Sequence, residues 1–506
     1  MSHLAILPFL LPIISGLLLM LPPLQNSIQR QRIFSVASGV VLVIASAWLL
    51  AVTAEQGTQL YALGNWQAPY GIVLVVDPLA SLLLLLTSIL CLAVLMYACA
   101  GEDQTGMYYH TLILLLVAGV NGAFMTGDLF NLFVCFEILL IASYALLIHG
   151  GGKQKTQASL HYVILNLVGS SIFLFALGML YATLGTLNIA DMARRLHQLP
   201  SDDLILVQAA GMMLLIVFGL KSAMLPLHFW LARTYSSASA PVAAMFAIMT
   251  KVGIYSIFRV HTVIFGEHAG ELANMAQSWL WPIALLTLAL GSIGALASAN
   301  LRLLTANMVI VSVGTLLIGA ALGRADASAA AFYYLLHTTL VSAAMFLIAD
   351  LVARQRGKAG DRFVAARCMR QRDLLGGLYF IAAIAMVGMP PLSGFIGKAL
   401  LLQAAQTFAE MVWIWPVLLI ASLFGIIALS RAGTTLFWRV SGQCNGEGDK
   451  AASIQILAIV LLLACSPLLT LFAGPITDYA RQAADVLHDP ALSVDALLPS
   501  LSLGAE

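Results

Sequence analysis

The chain has 506 residues, of which 61% are hydrophobic and only 9% charged, with a formal net charge of +1. A mean hydropathy of +0.96 excludes an ordinary soluble domain, and the apolar runs repeat from end to end, leaving no room for a separate soluble one. The near-neutral charge gives no footprint for nucleic acid. The six cysteines, Cys91, Cys99, Cys135, Cys368, Cys444 and Cys465, show neither C-x-x-C spacing nor ligand-like clustering. They read as small apolar packers, with no haem, iron–sulfur or zinc site and no other cofactor.

Taken in order, apolar stretches near 4–21, 33–52, 78–99, 109–125, 129–149, 160–184, 204–223, 241–265, 279–299, 303–322, 329–352, 376–402, 411–436 and 454–472 predict fourteen membrane-spanning helices. The first run has no Lys/Arg segment before it and no small-residue cleavage pattern after it, so it reads as a span rather than a leader. If the loop after it is cytoplasmic, sixteen Lys and Arg fall in cytoplasmic loops and four on the other side. That bias predicts both termini on the outer side.

Four charged side chains stand out inside the long apolar runs of these spans, Glu137, Lys221, Lys251 and Lys398, and Arg259 also falls within one. At about 2.5–3.5 kcal/mol each for a mid-bilayer charge, the set costs on the order of 10 kcal/mol to insert, which points to use in ion or proton movement. Glu137 sits about two turns inside its span. Lysine suits proton transfer because it can release its proton on burial, whereas arginine stays charged. Lys251 has Tyr255 and Arg259 at i+4 and i+8 on one face. His337, mid-span with Tyr333, Tyr334, Thr338 and Thr339 around it, has the ionisation range of a proton relay. Asp77 and Asp128 at span edges read as solvated. His110, His149, His161 and His228 lie near span ends and carry little weight, His228 being the best placed of them.

Two spans are interrupted. One break follows Lys221, where Pro226 has no N–H for the Ser222 carbonyl. The other runs through Pro390 and Pro391 towards Lys398. They lie five spans apart, so equivalent elements would be oppositely oriented, and paired broken helices of this kind mark transport sites. The chain accordingly divides into N-terminal helices over 1–108, two inverted five-helix repeats over 109–265 and 279–436, and a last helix with a C-terminal tail over 437–506.

These residues carry a resemblance. The stretches Gly127–Leu140, Leu220–Leu231, Ala238–Lys251 and Met389–Lys398 resemble the proton-pumping, antiporter-like subunits shared by respiratory complex I and Mrp-type multisubunit cation/proton antiporters. Within that family the chain is most similar to the D-type branch of the Mrp-type Na+/H+ antiporter subunits, through the segment Gly64–Asp77 and through its length. The resemblance implies a fourteen-helix core in the bacterial inner membrane, other hydrophobic subunits as partners, and exchange of protons for Na+ or another monovalent cation. It further implies Glu137 and Lys221 as a paired switch, Lys251 as a bridge, and His337 with Lys398 completing the path, with Pro226, Pro390, Pro391, His228 and Tyr255 in support. Span 10 departs from relatives in its lack of protonatable character, with Asn307, Ser312 and Thr315 among its few polar groups. The expected function is a proton-translocating antiporter subunit rather than an enzyme. The alternatives are a membrane-arm subunit of complex I or of a membrane-bound hydrogenase, and a structural subunit whose charges only join helices, a role worth roughly 0.6 kcal/mol per polar contact.

Overall fold

A computed structural model describes residues 3–197, 199–441 and 450–498. Cys444 lies outside them. A chain this apolar can cross lipid only if its backbone polar groups pair internally, which leaves helices or a closed barrel. It takes the helical solution. The first part holds α1 (Leu7–Leu18), α2 (Ile28–Gln56), α3 (Pro78–Ala98), α4 (Tyr109–Met125), α5 (Leu129–Ile148), α6 (Lys153–Leu184), α7 (Ile189–Leu196), α8 (Ser201–Ser222), α9 (Phe229–Ser237) and α10 (Ala240–Val263). The second holds α11 (Gln277–Ala297), α12 (Leu301–Leu322), α13 (Ala325–Arg356), α14 (Arg372–Val387), α15 (Ser393–Ala404), α16 (Phe408–Gly433), α17 (Ser453–Leu471) and α18 (Ala473–His488).

Among the described residues eleven helices are long and apolar enough to cross a membrane. The predicted first and fourth spans are shorter apolar helices, and the predicted span over 376–402 is two helices, α14 and α15, with a break between them. Three further features are absent from the sequence-based expectation. β1 (Gln59–Ala62) and β2 (Val73–Val76) form an antiparallel hairpin on one face of the bundle. Short α7 and α9 fill connections expected to be loops. Part of the expected tail is α18, which packs back on the hairpin face through Tyr479, whose hydroxyl meets Thr53 Oγ1 at 2.8 Å and Ser81 Oγ at 2.7 Å.

α10 and α13 form the centre, since their most apolar windows are wholly buried, whereas those of α6, α16 and α17 are only one third buried. In lipid the helices gain little from leaving their solvent, so close packing of small residues holds them together. α13 supplies such a surface with Ala329, Ala330, Ala331, Ala343 and Ala344. At Gly119 an added Cβ would meet the Leu139 nitrogen at 2.6 Å, and at Gly291 the Val311 nitrogen at 2.8 Å. The α4–α5 and α11–α12 pairs therefore cross with backbones touching, through a glycine at a matching position.

The matching extends further. Asp128 caps α5 by accepting from the Asn131 N–H, and pairs with Asn188 in the loop after α6. Asn300 caps α12 by accepting from the Leu303 N–H, and pairs with Arg362 in the loop after α13. Both expected breaks are present and built alike. α8 ends at Ser222, with Ala223 in the left-handed region at φ +61°, and α14 ends at Val387, with Gly388 at φ +81°. The Met224 N–H donates to the Gly219 carbonyl at 2.8 Å, and Met389 to Ile384 at 3.1 Å. Three residues after each left-handed residue stands a cis proline, Pro226 and Pro391.

Candidate functional site: a line of buried ionisable groups

The first group hangs on one face of α6. Asn166 and Ser170, four residues apart, point the same way. Ser170 Oγ donates to the Glu137 carboxylate. Lys221 Nζ donates to Asn166 Oδ1 at 3.1 Å, and Asn166 Nδ2 donates to the Tyr162 carbonyl at 2.8 Å. Lys221 is buried, and its ammonium also lies 5.7 Å from the centre of the Phe136 ring. It occupies the last turn of α8, where unsatisfied carbonyls favour a cation. Glu137 and Lys221 are thus brought together through two rungs of α6 and do not form the direct pair expected of them. Sequence reasoning missed Asn166 and Ser170. Their i,i+4 spacing in the apolar run of α6 was the available signal.

Lys251 is fully buried on α10. Its ammonium donates to Ser312 Oγ at 3.1 Å and to Thr250 Oγ1 at 3.3 Å. Ser312 lies on α12, the span noted for its lack of ionisable groups. Its hydroxyl is what that helix contributes.

The second break supplies the remaining acceptors. A helix ending inside the protein leaves its last carbonyls short of intrahelical donors, and two ionisable side chains bond there: Lys398 at Val387, and His337 at Ala385, whose carbonyl also accepts from the Gly388 N–H at 2.9 Å. His337 Nε2 lies 3.0 Å from the Ala385 carbonyl, which can only accept, so that nitrogen carries a proton. Its Nδ1 meets Ser393 Oγ at 2.8 Å, and Ser393 reaches Ser466 on α17 at 2.9 Å. Lys398 Nζ donates to the Val387 carbonyl and to Ser422 Oγ, both at 2.7 Å. Lys398 is buried, against a snorkelling role.

Among the described residues none of the ion pairs involves Lys221, Lys251 or Lys398. All three ammonium groups rest on neutral oxygens. Such a partner stays satisfied by small rearrangements when the amine gives up its proton, whereas a buried carboxylate would be left as an unpaired charge.

Other expected positions fall elsewhere. Tyr255 does not serve Lys251. Its hydroxyl donates to the Phe124 carbonyl at 2.8 Å and accepts from Arg259 Nε at 3.0 Å. Arg259 in turn pairs with Asp77 at 2.6 Å. Asp77, expected as a solvated edge residue, is 1% exposed and caps α3 through the Ala80 N–H. Only the folded chain brings Arg259 to it. His228, in the first break, has an Nδ1 with no hydrogen-bond partner, and His161 is exposed. His110, of little weight in the sequence, is buried against Asp103, which also receives two bonds from Arg32 at 2.6 and 2.7 Å. Burial pushes the Asp103 carboxyl up, but the hydrogen bonds from Arg32 and His110 outweigh it and hold the group below the ordinary aspartate value. Cys99, Asp103 and His110 lie within metal-ligand reach of one another, but Arg32 already occupies the carboxylate and its charge opposes a second cation.

A family model described as NADH:quinone oxidoreductase/Mrp antiporter, TM, matches residues 126–426. That stretch begins just before the cap of α5, ends within α16, and contains Glu137, Lys221, Lys251, His337 and Lys398. The chain is 38% identical to a probable K(+)/H(+) antiporter subunit of the D type from Rhizobium meliloti (strain 1021), over all of this chain and 99% of the relative. It is 36% identical to the D-type Na(+)/H(+) antiporter subunit of Bacillus subtilis (strain 168), over 98% of this chain and all of the relative. A chain in the structure of the Mrp complex from Dietzia sp. DQ12-45-1b matches with a TM-score of 0.86 at 25% identity, covering 99% of this chain and 100% of that one.

Proposed function

The chain belongs to the NADH:quinone oxidoreductase/Mrp antiporter family, and from that premise we propose that it is the proton-translocating subunit of a multisubunit monovalent cation/proton antiporter. The carrying observation is that the buried lysines Lys221, Lys251 and Lys398 are all held by neutral oxygens, in helices beside or between two like-built breaks.

In this reading Glu137 and Lys221 form the first switch. With Lys221 protonated, its ammonium either rests on Asn166 or is drawn towards Glu137 at the next rung of α6. Protonation of Glu137 removes that attraction and favours release of the Lys221 proton. Lys251 receives the proton at the centre, with Ser312 as the hydroxyl that orients it. His337, with Ser393 and Ser466, and Lys398, with Ser422, carry it on. A proton moved through 100 mV changes free energy by about 2.3 kcal/mol, so each step has to be biased by only a few kcal/mol.

The same reading takes the chain as fourteen crossings of the bacterial inner membrane with both termini outside, supported by the bias of Lys and Arg towards one set of loops. It takes 109–265 and 279–436 as inverted repeats, supported by the matched glycine crossings, caps and breaks. The flanking units are then 1–108 and 437–506. Other membrane subunits complete the complex, and the exchanged cation crosses mainly outside this chain. One relative is named for K+ and another for Na+, so exchange is measured with both.

The test is cation-driven proton movement in vesicles carrying the assembled complex. Glu137→Gln and Lys221→Met are each expected to abolish exchange while leaving assembly intact. Wild-type exchange in both variants would sink the proposal.

A further inference from the structure

α10 ends at the hairpin face with a histidine that the relay above does not use. His261 is 7% exposed, and neither ring nitrogen has a hydrogen-bond partner. A buried polar atom left unpaired costs about 1–3 kcal/mol, so a packed histidine with two such atoms is a poor design. The ring lines a cavity with ≈ 20 Å³ of room for the centre of a water-sized sphere, about what one water requires. Asn274, Gln277, Glu267 and His488 give that water polar company.

The cavity adjoins a larger one of ≈ 380 Å³. The two share Thr262, Gly266, Glu267 and His488. The larger is lined also by Arg194, His197, His268 and Asp495, in loops and short elements of the hairpin face. On the inner side the small cavity is floored by Ile257 and Phe258 of α10 and by Ala320 of α12. Eight residues down α12 from Ala320, about 12 Å of rise, stands Ser312, the partner of Lys251. His261 therefore lies between the larger cavity, a vestibule at the hairpin face, and the central lysine, with Ile257, Phe258 and Ala320 on the inner side.

We propose that His261 is the proton-exchanging group at the hairpin-face mouth of the relay, passing protons between the vestibule and the interior through a water in the small cavity. This rests on the proton-translocating reading above. The charged groups around it are Arg259 on its own helix, neutralised by Asp77, then Glu267 and His268 in the following loop, and His488 on α18. His488 is bonded to Ser328 at 2.9 Å, with Asp326 and Asp485 near it.

The test measures exchange in vesicles of the full complex while the pH on the hairpin face alone is varied between about 5 and 8, the range over which a histidine changes charge. His261→Gln keeps a polar side chain that cannot exchange a proton. It is expected to lower exchange at least tenfold and to flatten the dependence on hairpin-face pH. An unchanged rate and profile, with Glu137→Gln still inactive, would overturn the port and leave the relay standing. Exchange surviving Glu137→Gln as well would remove both. A second measurement needs no variant. At a fixed pH difference across the membrane, exchange by the wild-type complex should change with hairpin-face pH over the histidine range. A rate flat across that range would refute the port.

Discussion

Replacing Asn166 by leucine keeps the volume of the side chain but removes the oxygen that holds the Lys221 ammonium. The bond measures 3.1 Å and is buried, and a hydrogen bond to a charged group is worth about 1.5–3 kcal/mol. At 1.36 kcal/mol per factor of ten, the charged form of Lys221 becomes roughly 10- to 150-fold less available. If that form lies on the proton path, exchange falls by the same factor at a fixed pH, and the alkaline limb of the rate profile moves to lower pH. Asn166→Asp is the companion variant. It places a carboxylate on the same atom, pins the ammonium, and moves the alkaline limb to higher pH. The assay is dye-monitored proton uptake in inverted vesicles containing the assembled complex, driven by added Na+ or K+. Asn166→Leu exchanging at the wild-type rate, with the complex intact, would refute the reasoning that Lys221 works from its α6 partner.

Ser422→Ala should lower exchange less than Lys398→Met, tenfold at most, because the Val387 carbonyl still holds the ammonium at 2.7 Å; equal losses in vesicles would count against that carbonyl as a partner. The two left-handed positions should respond oppositely in thermal unfolding of the complex. Ala223→Gly relieves a conformation that costs an L-residue about 1–2 kcal/mol and raises the midpoint. Gly388→Ala introduces that cost and sets a Cβ 3.0 Å from the Gly394 carbonyl, lowering the midpoint. Asp103, held below its ordinary ionisation range, contributes stability above about pH 4 that is lost as the pH falls through its folded value. Asp103→Asn should cost about 3 kcal/mol at pH 7, the low end for a broken buried pair because Arg32 is 25% exposed. It should also flatten the drop in midpoint below pH 4; the wild-type acid profile in the variant would exclude this role.

Most of the helical plan was legible because lipid imposes it. Long apolar runs have one way to pair their backbone, so the predicted limits of α3, α4 and α5 agree with the structure within a residue or so. The breaks were legible because Pro226 and Pro391 each remove a helix hydrogen bond close to a buried lysine; proline alone is no sign of a break, since Pro12, Pro282, Pro416 and Pro467 lie inside helices. The hairpin, α7 and α18 were not, since each is short and half-polar and takes its shape from the bundle end it covers. The charged residues of the site stood out by their insertion cost. Their partners did not: Asn166, Ser170, Ser312 and Ser422 are small polar residues of a kind scattered through many spans, and only the i,i+4 spacing of Asn166 and Ser170 sets any of them apart.

What the sequence determines by itself is which residues carry charge into the membrane and where the helices stop, because hydropathy and proline act locally. Only the tertiary structure decides what those charges touch. It sets α6 between Glu137 and Lys221, gives Lys251 a hydroxyl from α12, and turns the last carbonyls of α14 towards His337 and Lys398. The reason is distance along the chain: these partners lie up to 61 residues apart, and only packing of the helices brings them within a hydrogen bond.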